Sequence, residues 1–263
     1  MITDMTFTVK LPYPEKGDRT VRIFVPAHEE GETFPVIYMT DGQTCFERMQ
    51  NELGCWSTHK AVMYERKLNG RGAVIVGIHN DLGAPQRASE LTPSCIGEIQ
   101  APEEMKKMAP AKGEVFDSFV VNCVMPFVEA RFPVRTGRKN TAFCGSSSGG
   151  VESLYIAMNN SDIFSLAGVF SPTLMIFRPQ DLAGWFSSKL SANAPFLYLY
   201  SGGADSLELI ICQYTEMFGS ILASCYNPDM YRKVIVPQNP HHETAWELAF
   251  RDMLHIFLEK AYT

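Results

Sequence analysis

The run Gly145-Ser146-Ser147-Ser148-Gly149 narrows the folds open to this chain more than any other feature. A Gly-x-Ser-x-Gly spacing suits a turn so sharp that a strand passes straight into a helix with the serine at its tip. A Cβ at either glycine would strike the neighbouring strand or helix, so the spacing answers a steric requirement. Among the three consecutive serines only Ser147 has glycine both two before and two after. Ser146 has Cys144 and Ser148 at those places, and Ser148 has Ser146 and Gly150. The pattern alone is weak, and its context strengthens it. Asn140–Cys144 reads as a short buried strand, and from Gly149 to Asn160 the residues Val151, Leu154, Tyr155 and Met158 recur at helical spacing.

Strands and helices alternate along the rest of the chain. Strands are predicted at Thr6–Leu11, Thr20–Ala27, Pro35–Met39, Ala73–Ile78, Leu166–Phe170, Pro195–Tyr200 and Tyr231–Val236. Helices are predicted within Thr58–Leu68, over Val115–Phe132 with a kink or split at Pro126, over Leu207–Tyr226 and over Thr244–Lys260. That order implies an α/β fold: a mostly parallel central sheet of about eight strands with helices on both faces. With no repeat or linker in view, residues 1–263 read as one domain. Residues 81–113, rich in Pro, Gly and charge, read as a long loop lining the site.

Composition excludes several classes. A hydrophobic fraction of 46% with 20% charged residues suits a globular core. A net charge of −6 argues against nucleic acid or an anionic membrane as a partner. No apolar run reaches a membrane span of ~18 residues, and no signal-peptide pattern stands at Met1. Seven scattered cysteines, with no Cys-x-x-Cys pair and no histidine at metal spacing, read mostly as buried free thiols. The expectation is a cytoplasmic protein without metal or organic cofactor, with a small-molecule partner; a homo-oligomer remains open.

A serine hydroxyl needs a base to accept its proton. Only His241, His242 and His255 follow Ser147, and the first two lie on the loop after the last strand, where open α/β sheets place their chemistry. The acid is expected after an intervening strand. Asp205 follows the turn Ser201-Gly202-Gly203-Ala204, although Asp205 and Glu208 also form a helix-capping pair. Glu208 and Asp229 are the other carboxylates at hand. An oxyanion needs two backbone donors, expected from Ser148 and from Gln43 after Asp41-Gly42. Phe46, Trp56 and Trp185 are candidate aromatic surfaces near the rim.

The chain resembles the esterase group of α/β-hydrolases that includes enterochelin esterases, feruloyl and acetyl-xylan esterases, S-formylglutathione hydrolase and the antigen 85 mycolyltransferases. The resemblance rests on Tyr38–Gln43, Val76–Asn80, Arg87–Pro93, Cys144–Gly150 and His241–Trp246, the last similar to a His-Asn-Glu-x-x-Trp motif. It implies Ser147 as nucleophile, His241 as base, Asp205 as acid, and Gln43 and Ser148 as oxyanion donors. Asn80, Arg87 and Glu90 would brace the long loop, and Asn80, Arg87, Trp56 and His242 are the candidate substrate contacts. Here His242 stands where that motif has Asn, and the glycine turn before Asp205 matches loosely. The activity implied is serine ester hydrolysis through an acyl-enzyme on short-chain, aryl-acyl or siderophore-type esters. Acyl transfer or thioester hydrolysis on the same triad, and a non-catalytic binding protein, are the alternatives.

Overall fold

The computed structural model describes residues 1–15, 17–49, 54–80, 83–100 and 110–263. Eight strands form one sheet: β1 (Met5–Pro12), β2 (Asp18–Val25), β3 (Val36–Met39), β4 (Val74–Ile78), β5 (Thr141–Ser146), β6 (Leu166–Phe170), β7 (Phe196–Ser201) and β8 (Tyr231–Ile235). Their spatial order is β1-β2-β4-β3-β5-β6-β7-β8. β1 pairs antiparallel with β2, and β2 antiparallel with β4. From β4 through β8 every pairing is parallel. The sheet is therefore mixed, with a parallel majority.

The central strands are buried on both faces, which is why they read as continuous apolar runs. Val36 and Tyr38 of β3, with Phe143 of β5 and Leu197 and Leu199 of β7, pack into one core layer. Ile37 and Met39, Ala142 and Cys144, and Tyr198 and Tyr200 point into the other. The first layer is covered by α3 (Gly113–Phe119), α4 (Met125–Arg131), α5 (Ser148–Asn159), α6 (Pro179–Ser188) and α7 (Ser206–Cys225). The second is covered by α1 (Thr58–Asn69) and α8 (Glu243–Tyr262). In α5 every residue from Ser148 to Met158 is buried, so that helix is enclosed on all sides.

Three expectations need correction. The stretch 81–113 is not one loop: α2 (Ala84–Glu90) occupies part of it, and residues 81–82 and 101–109 lie outside those described. The helix over Val115–Phe132 is interrupted as expected, but the break falls before Pro126, at a wide π-turn over Val120–Val124. That turn sets Pro126 in the first turn of α4. All seven cysteines are free, but only Cys45 and Cys144 are buried, and Cys95 and Cys225 are exposed.

The enclosure of α5 strands one acidic side chain. Glu152 has no exposed surface, and among the described residues its carboxyl oxygens have no hydrogen-bond partner. Burial first, and then the charges of Asp117, Glu114 and Glu90, push its pKa well above the usual carboxylate range. A folded-state pKa above the unfolded one makes stability largest below the unfolded value, near ~4.3, and costs stability as pH rises. Glu152→Gln is therefore expected to raise the melting temperature at pH 7–8, with the gain fading towards pH ~4. About 1 kcal/mol corresponds to about 2–4 °C in a chain of this size. A pH series of thermal melts in which the variant never exceeds the wild type would refute this account.

Candidate active site

Ser147 sits at the junction of β5 and α5 with φ 60° and ψ −125°, a conformation a non-glycine residue adopts only under constraint. Its N–H donates to the Phe170 carbonyl at 3.0 Å, and its own carbonyl takes the Thr173 N–H. The flanking glycines are tight for identifiable reasons. A Cβ on Gly145 would press into the Gly149 carbonyl, and one on Gly149 into the Thr40 hydroxyl. Ser146 and Ser148 are buried, whereas Ser147 keeps partial exposure.

His241 lies on the loop between β8 and α8, at the carboxyl end of the parallel strands. Its Nδ1 is 2.5 Å from Glu208 Oε2. The other Glu208 oxygen accepts from Ser171 Oγ at 2.6 Å, the Gly202 N–H at 2.5 Å and Ser201 Oγ at 3.1 Å. Burial works against the Glu208 charge, but the bonds from His241, Ser171 and Gly202 outweigh it and hold the carboxyl below its usual range. Trp246 extends the network: its indole N–H donates to Ser171 Oγ at 2.9 Å, and its ring meets the His241 ring edge-on. Asp205, the carboxylate expected on the ring, is placed elsewhere. Its Oδ2 accepts the His241 backbone N–H at 2.7 Å and its Oδ1 caps α7 through the Glu208 N–H at 2.8 Å. A capping carboxylate must turn back along its own helix, so it supports the histidine's main chain and Glu208 reaches the imidazole.

The loop after β3 supplies the opposite wall. Asp41 takes a left-handed conformation (φ 55°) and begins a tight 3₁₀ turn, Gly42–Thr44. Gly42 and Gly77 are in backbone contact there, with no room for a Cβ on Gly42. Among the described residues, neither the Gln43 nor the Ser148 backbone N–H has an acceptor within the protein. Both are donors available to a bound oxygen atom. The Gln43 side chain bonds Asn80 Oδ1 at 3.0 Å, and Asn80 and Arg87 both donate to the Asp41 carboxylate. Asn80 is buried and Arg87 mostly enclosed, so they brace this loop.

The aromatic candidates are buried, not at a rim. Trp56, with 1% exposure, is core, packed on Phe170, Trp246 and Phe250. Phe46 and Trp185 are buried as well. His242 caps α8, its Nδ1 accepting the Thr244 N–H. Asp229 is exposed at the amino end of β8, the wrong end of the sheet for the site. Ser171 and Trp246 were not among the expected site residues; the sequence signal for Trp246 is its place in the His241–Trp246 motif. Among the described residues no cluster of metal-ligating side chains occurs, and no helix is long and apolar enough to cross a membrane.

The strand order, with a strained serine between β5 and the helix behind it, defines the α/β-hydrolase fold. Residues 15–236 match the family model Esterase, described as Putative esterase, and the chain belongs to that family. A siderophore enterobactin esterase of Emericella nidulans is 25% identical over 171 residues, 62% of this chain and 51% of that protein. The chain thus aligns with about half the length of that curated relative. A siderophore hydrolase from Aspergillus nidulans superposes with a TM-score of 0.75 at 19% identity, over 98% of this chain and 95% of that one. A ferulic acid esterase from Anaeromyces mucronatus gives 0.70 at 21% identity, over 100% and 93%. Likeness at that identity shows the fold.

The Gly42–Gly77 contact yields a stability test. Gly42→Ala is expected to cost about 1–3 kcal/mol by overpacking, read as a lower urea midpoint. Gly184 of α6 is the control: a Cβ there meets nothing within 4 Å, and Gly184→Ala should gain up to ~1 kcal/mol of helix propensity. Equal midpoints for the two variants would refute the close approach.

Proposed function

We propose that the chain is a serine ester hydrolase working through an acyl-enzyme, with Ser147 as nucleophile, His241 as general base and Glu208 as the acid that orients it. The observation that carries this reading is the 2.5 Å contact between His241 Nδ1 and a fully buried Glu208, at the end of the sheet that bears the strained Ser147. With Nδ1 donating to Glu208, the imidazole presents Nε2 as acceptor for the serine proton. Attack on the ester carbonyl forms a tetrahedral oxyanion, for which the unpaired Gln43 and Ser148 amides are donors. Collapse expels the alcohol, which takes back the proton from His241. Water then repeats the cycle on the acyl-enzyme.

Two tests address the assignment. Ser147→Ala should lose several powers of ten in kcat, whereas Ser146→Ala, which keeps its main-chain carbonyl, should fall by less than about tenfold. Glu208→Gln removes the charge and disturbs the histidine tautomer, a change worth up to about 10⁴-fold in a Ser-His-Asp enzyme. Asp205→Asn should cost far less. The reverse ranking of the two acid variants would return the acid role to Asp205.

For the substrate, we propose soluble short-chain, aryl-acyl or siderophore-type esters. The named activities of the relatives support that class. So do Leu207, Leu209 and Ile210, apolar residues exposed on the turn of α7 that carries Glu208. Hydrolysis of a p-nitrophenyl ester series should fall once the acyl chain exceeds about eight carbons, since each methylene gains ~0.8 kcal/mol only where apolar surface receives it. Feruloyl and catecholate esters should be cleaved at least as well as the short acyl esters. A maximum at long chains, or activation by a lipid interface, would overturn the assignment.

A further inference from the structure

The Arg87 guanidinium touches two separate segments of chain. Its Nε donates to Asp41 Oδ1 at 2.6 Å and its Nη2 to Asp41 Oδ2 at 2.9 Å, a forked pair. The same Nη2 donates to the Ser146 carbonyl at 3.3 Å. Asp41 lies two residues before Gln43, and Ser146 two residues before Ser148. One planar cation thus grips the main chain or its carboxylate anchor at the same remove from each unpaired amide. Thr40 Oγ1, Asn80 Nδ2 and, at 3.5 Å, Gln43 Nε2 also donate to the Asp41 carboxylate. Asp41 itself holds the 3₁₀ turn closed, its carbonyl accepting the Thr44 N–H at 3.0 Å.

We propose that Arg87 is a positioning residue that sets the spacing between the two oxyanion donors, Gln43 and Ser148, by clamping Asp41 to Ser146. The proposal rests on the serine esterase reading above. Gln43 belongs to the loop after β3 and Ser148 to the first turn of α5, and an oxyanion hole works only when donors from both lie within hydrogen-bond reach of one atom. A lysine in this place would carry the charge but could not fork to two oxygens and a carbonyl in one plane. The clamp acts on a geometry that matters most when the carbonyl oxygen has become an oxyanion, so its loss reads out in the transition state.

The test uses the full chain with p-nitrophenyl acetate and an aryl trifluoromethyl ketone, whose serine adduct carries an oxyanion. Deleting an oxyanion donor costs about 10²–10³ in kcat. Arg87→Gln, which displaces the donors without deleting one, is expected to lower kcat by about 10- to 100-fold, with KM within about threefold and ketone affinity weakened in proportion. Asp41→Asn should act in the same direction, and the double variant should be no worse than the weaker single one, since both break one contact. Guanidinium added to Arg87→Ala should restore part of kcat. If Arg87→Gln does not fold, Arg87→Lys and Asp41→Asn carry the same reading.

A raised KM with unaltered kcat would make Arg87 a substrate contact and overturn the proposal. So would a lower melting temperature with unaltered kcat, which marks a purely structural brace. A wild-type chain that neither hydrolyses the ester nor binds the ketone overturns the esterase reading and the proposal together. An active wild type beside an equally active Arg87→Gln variant overturns the proposal alone.

Discussion

Burying a carboxylate without compensation is among the most expensive things a fold can do, and the carboxyl end of this sheet is organised around one. Glu208 has no exposed surface and receives donors from β7, the turn after it, the residue after β6 and the loop before α8. Ser171 reaches it only by adopting φ 40° just beyond β6. The Trp246 indole then fixes the Ser171 hydroxyl from α8. Four donors from separate parts of the chain converge on one anion, and the imidazole is the one of them that lies on the loop between β8 and α8. That convergence accounts for the tryptophan five residues after His241: it is a strut behind Glu208.

Strain follows the same geography. The described non-glycine residues with positive φ are Asp41, Ser57, Ser147 and Ser171. Three of them stand immediately beyond β3, β5 and β6, side by side at one end of the sheet. Each is held by hydrogen bonds to a neighbouring strand or loop, so the surrounding sheet supplies the energy that keeps them there.

Much of this was legible in the sequence because it depends on local chemistry. Continuous apolar runs located the buried strands, and the glycine spacing around Ser147 anticipated contacts that the structure makes explicit. The unread parts depend on distance in space. Asp205 and Glu208 both follow the same glycine turn, and only the direction of the α7 axis decides which carboxylate meets the imidazole. Trp56, Phe46 and Trp185 are aromatic residues whose burial is set by partners far along the chain. Helix α6 begins at Pro179 and carries Gly184, residues that mask helical periodicity; its existence follows from packing of Trp185 and Phe186 on the core.

The enclosure of α5 has a consequence for how such a molecule can change. A strained serine that opens onto a helix with buried residues along eleven consecutive positions cannot be retuned by small adjustments of its support, since nearly any replacement there disturbs the core. Leu207, Leu209 and Ile210, exposed at the start of α7, face no such restriction. Mutational drift can therefore change the surface at the start of α7 while the strained turn at Ser147 stays put, so that surface is the part of this end free to diverge.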